Sequence, residues 1–122
     1  MKNTIISIAI VFLLAGFCGY ATATEQGSLT IGAPTALRLM IVPDGFKLSW
    51  KASPDDPEVV MGYEIVRADL ASGPFITVGT VPGGVSEYVD TSASKEVIYY
   101  YKIRAMAGSA YSPYSNTVTG ER

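Results

Sequence analysis

From Pro34 onward, apolar and polar residues alternate with a period of two over short stretches, interrupted by clusters of Gly, Pro, Asp and Ser. That period belongs to strands with one buried face, and it predicts strands over residues 37–42, 46–51, 62–68, 75–81, 87–90, 98–106 and 116–119. The breaks have chemical reasons. Pro43-Asp44-Gly45 suits a tight hairpin, residues 53–57 (SPDDP) rule out regular pairing, Ser72-Gly73-Pro74 punctuates, and Pro82-Gly83-Gly84 permits positive φ. No segment carries the period of an amphipathic helix. Seven short strands with turns between them predict an all-β sandwich of two sheets.

The alternation also separates faces. Leu37, Leu39 and Ile41 alternate with Arg38 and Met40, and Phe46, Leu48 and Trp50 alternate with Lys47 and Ser49. In the longest strand Tyr99, Tyr101, Ile103 and Ala105 lie on one side. Tyr100, Lys102, Arg104 and Met106 lie on the other, so the charged side faces water. The expected core therefore includes Leu37, Leu48, Trp50, Tyr63, Ile65, Tyr88, Tyr99, Tyr101, Ile103 and Val118.

The first residues follow a different pattern. Lys2 precedes an apolar run over residues 5–17, and Ala21-Thr22-Ala23 offers small residues at the two positions a signal peptidase inspects. The run is shorter than the ~20 residues that span a bilayer. This predicts a signal peptide over residues 1–23, cleaved after Ala23, and a secreted or periplasmic product with no stable membrane insertion. The alternatives are an uncleaved anchor or a lipoprotein acylated at Cys18, for which Phe17 is a poor preceding residue. Residues 24–33 read as a leader and residues 34–122 as the domain.

Removal of 23 residues from 122 leaves 99, and loss of Lys2 leaves 8 basic against 11 acidic side chains, a net charge of −3. The basic residues are scattered singly among carboxylates, which argues against nucleic acid as a partner. The chain has no histidine, and its one cysteine is Cys18, in the export segment. The commonest general base, the usual nucleophile pairs and the usual zinc or haem ligands are therefore missing from the mature chain. The expectation is a non-enzymatic domain without cofactor.

Several motifs, taken in order, resemble the fibronectin type III family. They are Pro34 with Leu37, Leu48-Ser49-Trp50, residues 62–67 (GYEIVR), Tyr88-Val89-Asp90, residues 99–105 (YYYKIRA) and residues 112–116 (SPYSN). The resemblance implies a seven-stranded, two-sheet Greek-key sandwich of immunoglobulin-like kind, with Trp50 central in the core. It further implies that Tyr99 forms the tyrosine corner, its ring buried and its hydroxyl bonded to nearby backbone. The Leu-x-Pro pattern that precedes that tyrosine in many members is replaced here by residues 92–97.

Five groups invite a chemical reading. Glu64 and Glu87 are an acid–base pair in type, but each sits in an alternating strand on a solvated face. Asp55, Asp56 and Glu58 crowd one loop and offer oxygens to calcium, although the flanking prolines already explain an acidic turn. Arg67-Ala68-Asp69 is similar to an integrin-binding tripeptide but lies at a strand end with Ala in place of Gly. Tyr111 and Tyr114, between the last two strands, are candidates to contact a protein or carbohydrate partner. Tyr100 and Arg104, with Lys102, Glu64 and Val66, form a second candidate patch on an outer sheet face. The expected function is an interaction module binding a protein or glycan, and the alternative is a ligand-free spacer or assembly domain.

Overall fold

The computed structural model describes residues 30–122 and contains eight strands. The predicted signal peptide, Cys18 and most of the leader lie outside these residues. In chain order the strands are β1 (Thr35–Val42), β2 (Gly45–Lys51), β3 (Gly62–Ala68), β4 (Ile76–Pro82), β5 (Glu87–Asp90), β6 (Tyr99–Ala107), β7 (Ala110–Tyr111) and β8 (Val118–Gly120). Three form one sheet in the order β1-β2-β5. The other five form a second sheet, β4-β3-β6-β7, with β8 also paired to β6, and every pairing is antiparallel.

The expected seven strands thus become eight. Pro113 has no N–H to donate, and the return from β6 pairs twice, through β7 at Met106–Ala107 and through β8 at Tyr99–Tyr101. Between these contacts two serine hydroxyls stand in for the missing ladder. Ser112 Oγ accepts the Ala105 N–H at 2.8 Å and Ser115 Oγ accepts the Ile103 N–H at 3.1 Å. The β6 backbone donors are thereby satisfied across the break.

The core fills the space between the sheets. Phe46, Leu48 and Trp50 of β2 face Tyr63 and Ile65 of β3 and Tyr101, Ile103 and Ala105 of β6, all buried, and Leu37 and Tyr99 are buried with them. Tyr88 and Val118 are half-buried and pack against this cluster. The rings meet at angles that favour edge contacts: Phe46 and Tyr101 lie 5.9 Å apart at 72°, and Trp50 and Tyr63 5.5 Å apart at 60°. Tyr99 accepts the Ser94 N–H on its hydroxyl at 3.2 Å, which gives the corner its backbone bond. Ala93, 3% exposed, and the half-buried Val97 occupy the apolar positions of that turn.

Two positions near the start of the domain differ from the expectation drawn from the sequence. Ile31, expected in the leader, is 2% exposed and belongs to the core. It is held there because the Gly32 carbonyl accepts the Ser53 hydroxyl and the Gly32 N–H donates to Asp55 Oδ2. Ile41, expected inside, is 59% exposed; it lies on an edge strand, one residue before the hairpin into β2.

The sheets are joined by one buried carboxylate. Asp90, at the end of β5, is 1% exposed and accepts the Tyr101 hydroxyl at 2.6 Å, Arg67 Nη1 at 2.9 Å, and the Ser92 N–H and hydroxyl. Burial alone would raise its pKa, but the hydrogen bonds from Ser92, Tyr101 and Arg67 outweigh that and hold it below the ordinary carboxylate value. Arg67 also lies over the Tyr99 ring, 4.4 Å from its centroid.

Candidate interaction face

The outward side of β6 carries Tyr100, Lys102, Arg104 and Met106. The antiparallel register sets Glu64 of β3 opposite Arg104, and Val66 opposite Lys102. On the other side of β3, Glu64 faces Thr80 and Val66 faces Thr77 of β4. Cross-strand neighbours on one face are close enough for side chains to meet, and here they do. Arg104 Nε donates to Glu64 Oε1 at 2.7 Å, and Thr77 Oγ1 donates to Glu64 Oε2, also at 2.7 Å. Burial pushes the Glu64 pKa up, but the bonds from Thr77 and Arg104 pull it further down, so its carboxylate is held ionised.

The hairpin after β6 then folds aromatic side chains back onto the same face. Tyr111 pairs with Met106, two residues along from Arg104, and its ring stacks on the guanidinium with 3.6 Å from Cζ to centroid. The serine-bonded segment brings Tyr114 over the strand, where its ring lies 4.9 Å from Arg104 Cζ and 4.3 Å from Lys102 Nζ. Phe75, just before β4, approaches Lys102 from the other side at 4.2 Å. The result is a ladder in which rings and cations alternate: Phe75, Lys102, Tyr114, Arg104, Tyr111. Each such contact contributes about 0.5–1 kcal/mol when exposed, enough to hold the side chains in place without removing them from solvent. Tyr111 remains 46% exposed.

The two patches suggested by the sequence are therefore one surface. Tyr111, Tyr114 and Arg104 meet directly, and Tyr100 stands on the same face of β6, half-buried, paired with Ala68 and Thr119. Phe75 and Thr77 belong to the surface and were not among the sequence candidates. Their membership depends on the β3–β4 register, which includes a bulge between Ile65 and Val66. Val66 itself, expected in the patch, is 3% exposed and lies beneath the side chains.

The other candidate groups are placed elsewhere. Glu87 is on the outer face of the three-stranded sheet, 3.5 Å from Lys47, while Glu64 is on the outer face of the other sheet. The two carboxylates have the sandwich between them and cannot flank one bond. Asp55 Oδ2 accepts the Gly32 N–H, and Asp56 Oδ2 accepts both the Tyr63 hydroxyl at 2.8 Å and the Gly84 N–H at 3.0 Å. Those oxygens fasten loops. Burial and the Asp56 contact push the Tyr63 hydroxyl up to about 12. Arg67 of the tripeptide is committed to Asp90. Among the described residues, no group of three or more Asp and Glu side chains is arranged to hold a metal, and no helix is long and apolar enough to cross a membrane.

No protein-family model matches the chain. It is 42% identical over 71 residues to an amylopullulanase of Thermoanaerobacter thermohydrosulfuricus, a match that covers 58% of this chain and 5% of that protein. The chain thus spans about one-twentieth of the length of this curated relative. Among solved structures it is similar to an Fn3-like protein from Clostridium thermocellum, with a TM-score of 0.63 and 24% identity over 75% of this chain and 92% of that one. It is also similar to part of pectate lyase PelI from Erwinia chrysanthemi, solved in complex with tetragalacturonic acid, with a TM-score of 0.58 and 19% identity. That match covers 75% of this chain and 28% of the lyase.

Proposed function

We propose that this chain, a fibronectin type III-like β-sandwich, is an exported, non-catalytic module that holds a polysaccharide on the outer face of its five-stranded sheet. The observation that carries the reading is the ring-and-cation ladder. Rigid rings provide contact area at little cost in entropy. The Tyr111 and Tyr114 hydroxyls, the Arg104 guanidinium and the Glu64 carboxylate supply donors and acceptors for sugar hydroxyls. Similarity to a short part of an amylopullulanase, and to a part of a pectate lyase, supports carbohydrate as the partner class. The pattern of residues 1–23 supports export. The lack of histidine, and the commitment of Glu64 to Arg104 and Thr77, support a role without chemistry of its own.

The test is electrophoresis of the folded chain through native gels with and without dissolved pullulan or polygalacturonate. Retardation by at least one polysaccharide, weakened in Tyr111→Ala, is the expected result. Unchanged mobility in both gels would overturn the reading. It would favour a structural spacer, a role that the match to one-twentieth of a much longer relative also supports.

A further inference from the structure

The charges on the interaction face do not balance. Arg104 is neutralised by Glu64 at 2.7 Å. Lys102 has rings on two sides, Phe75 at 4.2 Å and Tyr114 at 4.3 Å, and among the described residues no carboxylate lies within ion-pair distance of its Nζ. An ammonium held between two rings is fixed in position, and the rings shed part of the water that would otherwise screen it. The face is therefore locally positive at its centre, on a chain whose net charge is −2.

From this placement we infer that the face selects acidic polysaccharides, with Lys102 pairing a uronate carboxylate while the flanking rings contact the sugar. The inference rests on the polysaccharide-holding role proposed above and adds the class of polymer. The rings already lie against cations, so the interaction left unmet on the face is a negative charge. A neutral glucan would leave Lys102 unpaired. A uronic acid polymer brings one carboxylate per residue, and the Tyr111 and Tyr114 hydroxyls and Arg104 remain as donors for its other oxygens.

Affinity electrophoresis of the chain against polygalacturonate, pullulan and poly-glutamate, at low and high salt, tests the inference. Polygalacturonate is expected to bind about twofold to fivefold more tightly than pullulan at low salt, the worth of one partly screened ion pair. The preference should vanish at about 1 M salt, where the Debye length falls to roughly 3 Å. Lys102→Gln should remove it, Lys102→Arg should keep it, and Lys51→Gln, on an exposed strand end, should leave it unchanged. Equal affinity for pullulan and polygalacturonate would overturn the inference, as would a preference that survives in Lys102→Gln. Equal retention by poly-glutamate would also overturn it, since the face would then read carboxylates on any polymer. Retention by no polysaccharide would remove the underlying role, a result distinct from retention without preference.

Discussion

Asn116 completes the free edge of β1 at Leu37. Its Oδ1 accepts the Leu37 N–H at 2.9 Å and its Nδ2 donates to the Leu37 carbonyl at 3.0 Å, across 79 positions of sequence. The amide behaves as one residue of a missing neighbouring strand and ties the three-stranded sheet to the segment entering β8. It also blocks part of an edge that would otherwise offer unpaired backbone to another chain.

Asn116→Ala should therefore destabilise the domain by about 1–3 kcal/mol, since two backbone groups lose their partners together. Urea denaturation checks this: the midpoint should fall while the slope stays that of the parent.

The same contact explains Ala36, which has φ of +54° next to a register shift between Thr35 and Arg38. That conformation turns Leu37 toward Asn116, and it costs a residue with a Cβ about 1 kcal/mol. Ala36 is exposed, so Ala36→Gly removes strain without removing packing. The offsetting loss is the greater freedom of glycine in the unfolded chain. A net gain of a few tenths of a kcal/mol up to about 1 kcal/mol is expected, read as a higher urea midpoint.

Asp90 makes stability depend on pH in a defined direction. Its folded pKa lies below its unfolded value of about 3.9. Its contribution is therefore complete above that unfolded value and is lost as pH falls through the folded one. Thermal unfolding should show stability level near neutrality and declining below about pH 4. Asp90→Asn should flatten that decline and cost about 3 kcal/mol at pH 7, because Arg67 is left as a largely buried cation without its partner.

Gly79 faces Tyr88 so closely that an added Cβ would lie 2.4 Å from the tyrosine oxygen. The Tyr88 hydroxyl donates to the Val78 carbonyl at 2.9 Å and so links β5 to the β4 edge across the two sheets. Gly79→Ala should push the ring aside and cost about 1–3 kcal/mol, whereas Gly84→Ala, whose added Cβ meets nothing within 4 Å, should cost only the strain of its φ of +87°. Comparison of their thermal midpoints separates crowding from strain.

Alternation alone was enough to read β2 and β6, because their inward residues are buried at every second position from Phe46 to Trp50 and from Tyr99 to Ala105. Strand β7 was hidden because two residues have no period. Ile31 was hidden because it enters the core from outside any strand. Asp90 reads as a polar strand end, and its burial becomes visible only when Arg67 and Tyr101 arrive from other strands. The interaction face was half legible. Tyr111, Tyr114, Tyr100 and Arg104 follow from composition and alternation, but Phe75 and Thr77 join them only through the bulged β3–β4 register, a property of tertiary pairing.

The proposed role depends most on where a polysaccharide touches the domain. Titration of the isotopically labelled chain with oligogalacturonate, followed through backbone and side-chain NMR shifts, measures that contact directly. Shifts concentrated at Phe75, Lys102, Arg104, Tyr111 and Tyr114 are the expected result. Shifts centred on Met40, Lys47 and Val89 of the opposite sheet, or no shifts at all, would contradict it.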